Sequence, residues 1–155
     1  MSVRVFLSHS VASWELALVN SVADVVAQRG AVPMIPDRAW NPSVEELPDR
    51  IKAQIQESEC LIAIASQWGH HLPWLNQEVT YSHQLSPSRP SVIVADAGIA
   101  IPPEYDCIRM DRANSLVTLA QVSQHIQRLG HDRQTQALLR GLLIGGLALL
   151  FLKGR

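Results

Sequence analysis

Apolar and polar positions fall in blocks along this chain, and the period changes from block to block. Val3 to Leu7 is a short apolar run of β-formers and predicts a strand, which Ser8-His9-Ser10 is expected to break. From Val11 to Arg29 the period lengthens. Trp14, Leu18, Val22 and Val25/Val26 form an apolar stripe at helical spacing, with Ser10 or Ser13 as the expected N-cap and Gly30 as the stop. Ala31 to Ile35 predicts a second strand, closed by Pro36-Asp37 and followed by a polar loop, Arg38 to Glu46, that contains Trp40. Pro48 suits a first helical position, and Ile51 and Ile55 mark the inner side of a helix ending near Ser58. Cys60 to Ala65 is apolar without interruption, as expected of a central strand covered on both faces.

Ser66 to Pro73 reads as a loop with Trp68, His70 and His71, and a helix bearing Trp74 and Glu78 runs on to about Leu85. Ser91 to Ala95 predicts a fourth strand after a turn bracketed by Pro87 and Pro90. Cys107 to Met110 predicts a short fifth strand, and Asn114 to Leu129 a helix. Strands alternating with helices at crossover lengths predict a doubly wound parallel α/β sheet. Ligands of such sheets bind beyond the carboxyl ends of the strands, near the switch in strand order. That edge is expected to comprise Ser8-His9-Ser10, Pro36 to Glu46, and Ser66 to Glu78. Three of the four tryptophans, Trp40, Trp68 and Trp74, fall there.

Composition narrows the picture. With 155 residues, 47% of them apolar and 17% charged, the chain holds enough apolar surface for a single packed domain and is not a disordered one. A net charge of −1 gives no support for nucleic-acid binding. Cys60 and Cys107 both sit in apolar runs and are expected to be buried thiols in a reducing compartment. The chain enters a strand almost at once, so no signal peptide is expected.

The largest shift in composition is at the C-terminus. Ala137 to Leu152 is apolar apart from Arg140, and Lys153-Gly154-Arg155 follows. As a helix these residues would span about 24 Å at about 1.5 Å each, against a hydrocarbon core near 30 Å. Thinning of the bilayer and snorkelling of Arg140 and Lys153 accommodate that mismatch. The competing reading is a last helix docked on the domain, but Gly141 to Leu152 lacks the polar face such a helix needs. Gly141 and Gly145 form a G-x-x-x-G that lets membrane helices approach closely. The expected organisation is an α/β domain over 1–130, a linker over 131–136 and an apolar helix over 137–155 that anchors the chain to a bilayer. The domain is then expected in the cytoplasm; a wholly cytoplasmic protein is the alternative.

Candidate chemistry centres on Trp74-Leu75-Asn76-Gln77-Glu78. Residues four apart share a helix face, so Trp74 and Glu78 are expected to point into the same space. An aromatic platform beside a carboxylate suits a ligand that is flat at one end and develops positive charge in reaction. Ser8-His9-Ser10 is too local to form a hydrolytic triad, and no G-x-S-x-G elbow is present. His70, His71 and His83 match no zinc spacing, so no metal is expected. No P-loop and no G-x-G-x-x-G occur.

The order of these features resembles a bacterial TIR (Toll/interleukin-1 receptor) domain. Val5-Phe6-Leu7-Ser8-His9-Ser10 looks like that family's opening box. Ile35-Pro36-Asp37 and the loop after it look like the end of its second strand and the loop that rearranges on assembly. Ile51 to Ser66 is similar to its second helix and third strand, and Trp74 to Glu78 matches its W-x-x-x-E box. The resemblance implies a flavodoxin-like fold, self-association, and in many bacterial members cleavage of NAD to nicotinamide and a linear or cyclic ADP-ribose, in roles such as antiviral defence. It carries the catalytic role to Glu78. NAD is then a substrate, and no cofactor is expected. Ser8, His9 and Ser10 are candidates for the diphosphate, and Trp74, or Trp40 or Trp68 from the loops, for stacking on a base or the nicotinamide ring. Many active relatives carry arginine or lysine just after the first strand, where this chain has His9 and Ser10. Two alternatives follow: an inactive TIR scaffold, and a nucleoside deoxyribosyltransferase-like enzyme. The expected partners are NAD, further copies of the chain through the TIR domain and the Gly141/Gly145 face, and a lipid bilayer.

Overall fold

The computed structural model describes residues 3–36 and 46–129. In chain order the elements are β1 (Arg4–Ser10), α1 (Leu16–Gln28), β2 (Val32–Met34), α2 (Asp49–Glu57), β3 (Cys60–Ala65), α3 (Leu72–Leu85), β4 (Ser91–Ala95) and β5 (Asp106–Arg109). A final helix, α4, covers 115–129. All strand pairs are parallel, in the order β2-β1-β3-β4-β5. The order reverses between β1 and β3, which is where a flavodoxin-like sheet opens its crevice. β2, with Pro33 opposite Val5, forms one edge of the sheet.

Strand alternation divides the side chains into two layers. Val5 and Leu7 of β1, Cys60, Ile62 and Ile64 of β3, and Val92 and Val94 of β4 pack against Val19, Val22 and Val26 of α1 and Val122 and Ile126 of α4. Phe6, Leu61, Ala63, Ala65 and Ile93 face the other way, against Ile51 and Ile55 of α2 and Leu75 and Val79 of α3. The uninterrupted run of β3 is buried at all six positions because both faces are covered. Residues 96–105, between β4 and β5, contain no helix. Ile99, Ile101 and Tyr105 from that connection pack onto the α2/α3 layer instead.

Four expectations fail, each for a physical reason. Ser8-His9-Ser10 does not break β1. Pairing with β3 continues to Ser10↔Ala65, and cross-strand bonding overrides the turn preference of serine. The first helix therefore starts later, at Leu16. A short 3₁₀ turn, Ser13–Glu15, precedes it, and Ala12 rather than a serine occupies the N-cap of that turn. The extra turn changes the phase of the stripe. Glu15 is turned inward, and Trp14, expected in the core, is 72% exposed. Cys107 lies on the edge strand β5 and is exposed, whereas Cys60 is buried as expected and burial pushes its thiol up to about 12. Gly30 ends α1 as anticipated, with φ at 82°, a region open to glycine. No helix among the described residues is long and apolar enough to cross a membrane. The linker 131–136 and the apolar segment 137–155 lie outside the described residues.

Candidate functional site

α3 turns Leu75, Glu78, Val79 and Ser82 inward. Leu75 and Val79 join the core, while Glu78 meets β1. Its carboxylate accepts the Ser8 hydroxyl at 2.7 Å, and both side chains are fully buried. Alternation explains the meeting: Phe6, Ser8 and Ser10 occupy the α3 side of β1, and Val5, Leu7 and His9 the α1 side. A carboxylate in such a place needs donors, and a small hydroxyl at position 8 supplies one without filling the space. Trp74, one turn earlier on α3, is half-buried at the edge of the same layer. His9 is buried on the opposite face of β1. Trp40 lies outside the described residues.

Ser10 anchors the loop between β3 and α3. Its carbonyl accepts the Ser66 amide at 2.9 Å, and its hydroxyl accepts the His71 amide at 3.1 Å. Gly69 lies so close that a Cβ there would stand 2.1 Å from the Ser10 carbonyl oxygen. Only glycine fits that approach. The loop thus packs against the end of β1, beside the switch between β1 and β3. The phosphate-binding turn expected at Ser8–Ser10 is not formed: these residues are strand, and the helix start that was to flank them comes at Leu16.

A second polar cluster stands at the carboxyl ends of β3, β4 and β5. Arg112, from the β5–α4 connection, forks onto Asp96, with Nε 2.8 Å from Oδ1 and Nη2 2.6 Å from Oδ2. Its Nη1 lies 2.7 Å from Glu15 Oε2, and its Nη2 3.2 Å from Ser66 Oγ. Ser66 in turn donates to Glu15 Oε1 at 2.6 Å. Contact with Arg112 holds the Asp96 carboxyl below its ordinary value. Burial pushes Glu15 up, but bonds from Ser66, the Ala12 amide and Arg112 outweigh it and leave Glu15 lowered. The two carboxylates drive the Arg112 guanidinium above its ordinary value. The fork geometry suits arginine and would not suit lysine. Two anions share this one cation.

The sequence placed Ser66 at the ligand-binding edge but did not single out Glu15, Asp96 or Arg112. Ser66 and Asp96 each directly follow an apolar strand, and that position was the available signal. A cavity of about 400 Å³ lies between α3 and the 99–105 segment, bounded by Leu75, Val79, Ile93 and Tyr105. Glu78 does not line it.

Residues 5–129 match the family model of the TIR domain. The chain belongs to the TIR domain family. That match covers all of the described sheet except Arg4 and runs to the end of α4. Among solved structures, the TIR protein is similar to a 2-deoxyribosyltransferase from Bacillus psychrosaccharolyticus, at 16% identity and a TM-score of 0.50, covering 75% of this chain and 95% of that one. It is also similar to a flavodoxin from the domain Archaea, at 7% identity and a TM-score of 0.52, covering 83% and 99%. A third is an NAD(P)H:quinone oxidoreductase from Methanothermobacter marburgensis, at 13% identity and a TM-score of 0.52, covering 83% and 100%. At these identities the likeness is one of fold, and it agrees with the observed strand order. No curated protein sequence is significantly similar to the chain.

Proposed function

We propose that this TIR protein cleaves the N-glycosidic bond of NAD, with Glu78 as the catalytic residue. The observation that carries the reading is the buried Glu78–Ser8 pair beside the switch point, on the helix that bears the W-x-x-x-E box. When the bond from the ribose C1′ to the pyridinium nitrogen breaks, the electron pair leaves with nicotinamide and the sugar becomes a cation. A carboxylate in a low-dielectric site stabilises that charge strongly. Water then adds at C1′ and its proton passes to solvent, giving nicotinamide and ADP-ribose; attack by a group of the same molecule gives a cyclic product instead. Trp74, and Trp40 in the segment after Pro36, are the proposed stacking residues. Ser8 orients Glu78, and Ser10 and His9 shape the adjoining end of β1.

Glu78 has no exposed surface. A ribose reaches it only after its cover moves, and self-association is the event we assign to that movement. The apolar segment 137–155 fits this reading as a bilayer anchor that concentrates the chains, with the Gly141/Gly145 face pairing the tails. The test is release of nicotinamide from NAD, followed against protein density in liposomes. Wild type is expected to gain activity per molecule with density, and Glu78→Gln to stay inactive at every density. Carbonate-resistant sedimentation that is lost on deleting 137–155 checks the anchor. A scaffold without activity is the second reading. It is favoured by the engagement of Arg112 with two carboxylates, which leaves the diphosphate without that cation. Wild type that releases no nicotinamide at any density decides for it.

A further inference from the structure

Residues 66–71 run directly into the turn of α3 that carries Trp74 and leads to Glu78. Much of what fixes this loop lies outside it. Asp96 Oδ2 accepts the Gln67 amide at 2.8 Å. Ser66 Oγ accepts the Trp68 amide at 3.1 Å while donating to Glu15. The Trp68 ring, itself half exposed, lies under the Arg112 guanidinium, with the central carbon 5.1 Å from the ring centroid. Asp96, Glu15, Ser66 and Trp68 are thus all in contact with one side chain, Arg112.

We infer that Arg112 is a positioning residue that holds the 66–71 loop against the end of β1 and, through it, holds the start of α3 so that Glu78 stays against Ser8. Its catalytic consequence rests on the reading of Glu78 given above; the hold on the loop does not.

The charges make this inference specific. Glu15 and Asp96 have side chains only 6% exposed and share one cation. Without Arg112 they become two uncompensated anions at one sheet edge, and each loses a contact that keeps it ionised. Mild acid then helps the variant, because protonating one carboxylate removes the excess charge. Wild type responds in the opposite direction, since acid breaks its ion pairs. Other titratable groups face the cluster. Arg109 bonds the carbonyl oxygens of Asp96 and Ile99, and Asp111 accepts the Ala113 and Asn114 amides. His9 lies on the α1 side of β1, and His70 and His71 sit in the loop itself. All of these stay unchanged across the variants compared below.

The experiment measures amide exchange at 67–71 and in the first turn of α3, corrected for intrinsic rates, at about pH 8 and about pH 5. Arg112→Met is expected to exchange about tenfold faster than wild type in the loop near pH 8, and to regain protection near pH 5. The double variant Arg112→Met/Asp96→Asn has the net charge of wild type and is expected to regain protection near pH 8. Loop exchange that is unchanged in Arg112→Met, raised equally at both pH values, or not recovered in the double variant overturns the inference. Should Arg112→Met fail to fold, Arg112→Lys keeps the charge and loses the fork; exchange like that of wild type would overturn the inference there too. With NAD, kcat is expected to fall because the start of α3 no longer holds Glu78 in place against Ser8, while KM changes little. An opened loop with unchanged kcat refutes the link to Glu78. Wild type that cleaves no NAD refutes the Glu78 reading alone and leaves the exchange data to decide for Arg112.

Discussion

Glu78 and Ser8 form the buried hydrogen bond at the centre of the proposed site. Glu78→Gln keeps the shape and can still accept the Ser8 hydroxyl, but it removes the negative charge. NAD cleavage is expected to fall by about 10²–10³, the usual scale for one preorganised electrostatic contact, with the melting temperature close to that of wild type. A nicotinamide-release assay beside a thermal melt reads both; wild-type rates would sink the assignment. Ser8→Ala takes a donor from a fully buried acceptor and is expected to cost about 1–3 kcal/mol, read from urea unfolding. Gly69→Ala drives a methyl group into the backbone of Ser10, so the loop or the strand must shift. Overpacking of that kind costs about 1–3 kcal/mol, and the same unfolding measurement checks it.

At the scale of elements, most of the sheet was legible. Cys60–Ala65 and Ser91–Ala95 are the observed strands, because apolar runs of that length bounded by polar or turn residues have few other fates. The junction of β1 and α1 was not legible. Ser8 to Ser10 look like a turn until β3 pairs with them, and Trp14 looks like core until the 3₁₀ turn rotates it outward. Glu78 was legible as a candidate from its spacing to Trp74, but its full burial against Ser8, 70 residues away in the chain, was not. Arg112 was missed for the same reason. Its partners come from three other segments, and nothing local to position 112 marks them. The strand that reads most clearly should also matter most to stability: Ile62→Ala, in the middle of β3 and fully buried, is expected to cost about 2–5 kcal/mol in urea unfolding.

For the molecule as a whole, the carboxyl edge sets the response to acid. Glu15 and Asp96 have lowered values in the folded state. The stability they contribute is therefore present above their unfolded values near about 4 and is lost as pH falls through the folded ones. The urea midpoint should fall on acidification from about pH 5 to about pH 3, and less steeply in Asp96→Asn; equal slopes would count against the pairing. The lateral edge formed by β2 bears on how copies of a TIR protein can meet. β2 is three residues long, and the Val32 amide points inward to the Val3 carbonyl at 2.7 Å. By alternation Met34 points the same way, and the one position whose amide would face outward is Pro33, which has none. This edge therefore offers an incoming strand no donor from within β2, a form of protection against edge-to-edge aggregation. An incoming strand finds only the Pro33 carbonyl facing it from β2, so an assembly on that side is expected to rest on side chains and connecting segments rather than on a continued sheet.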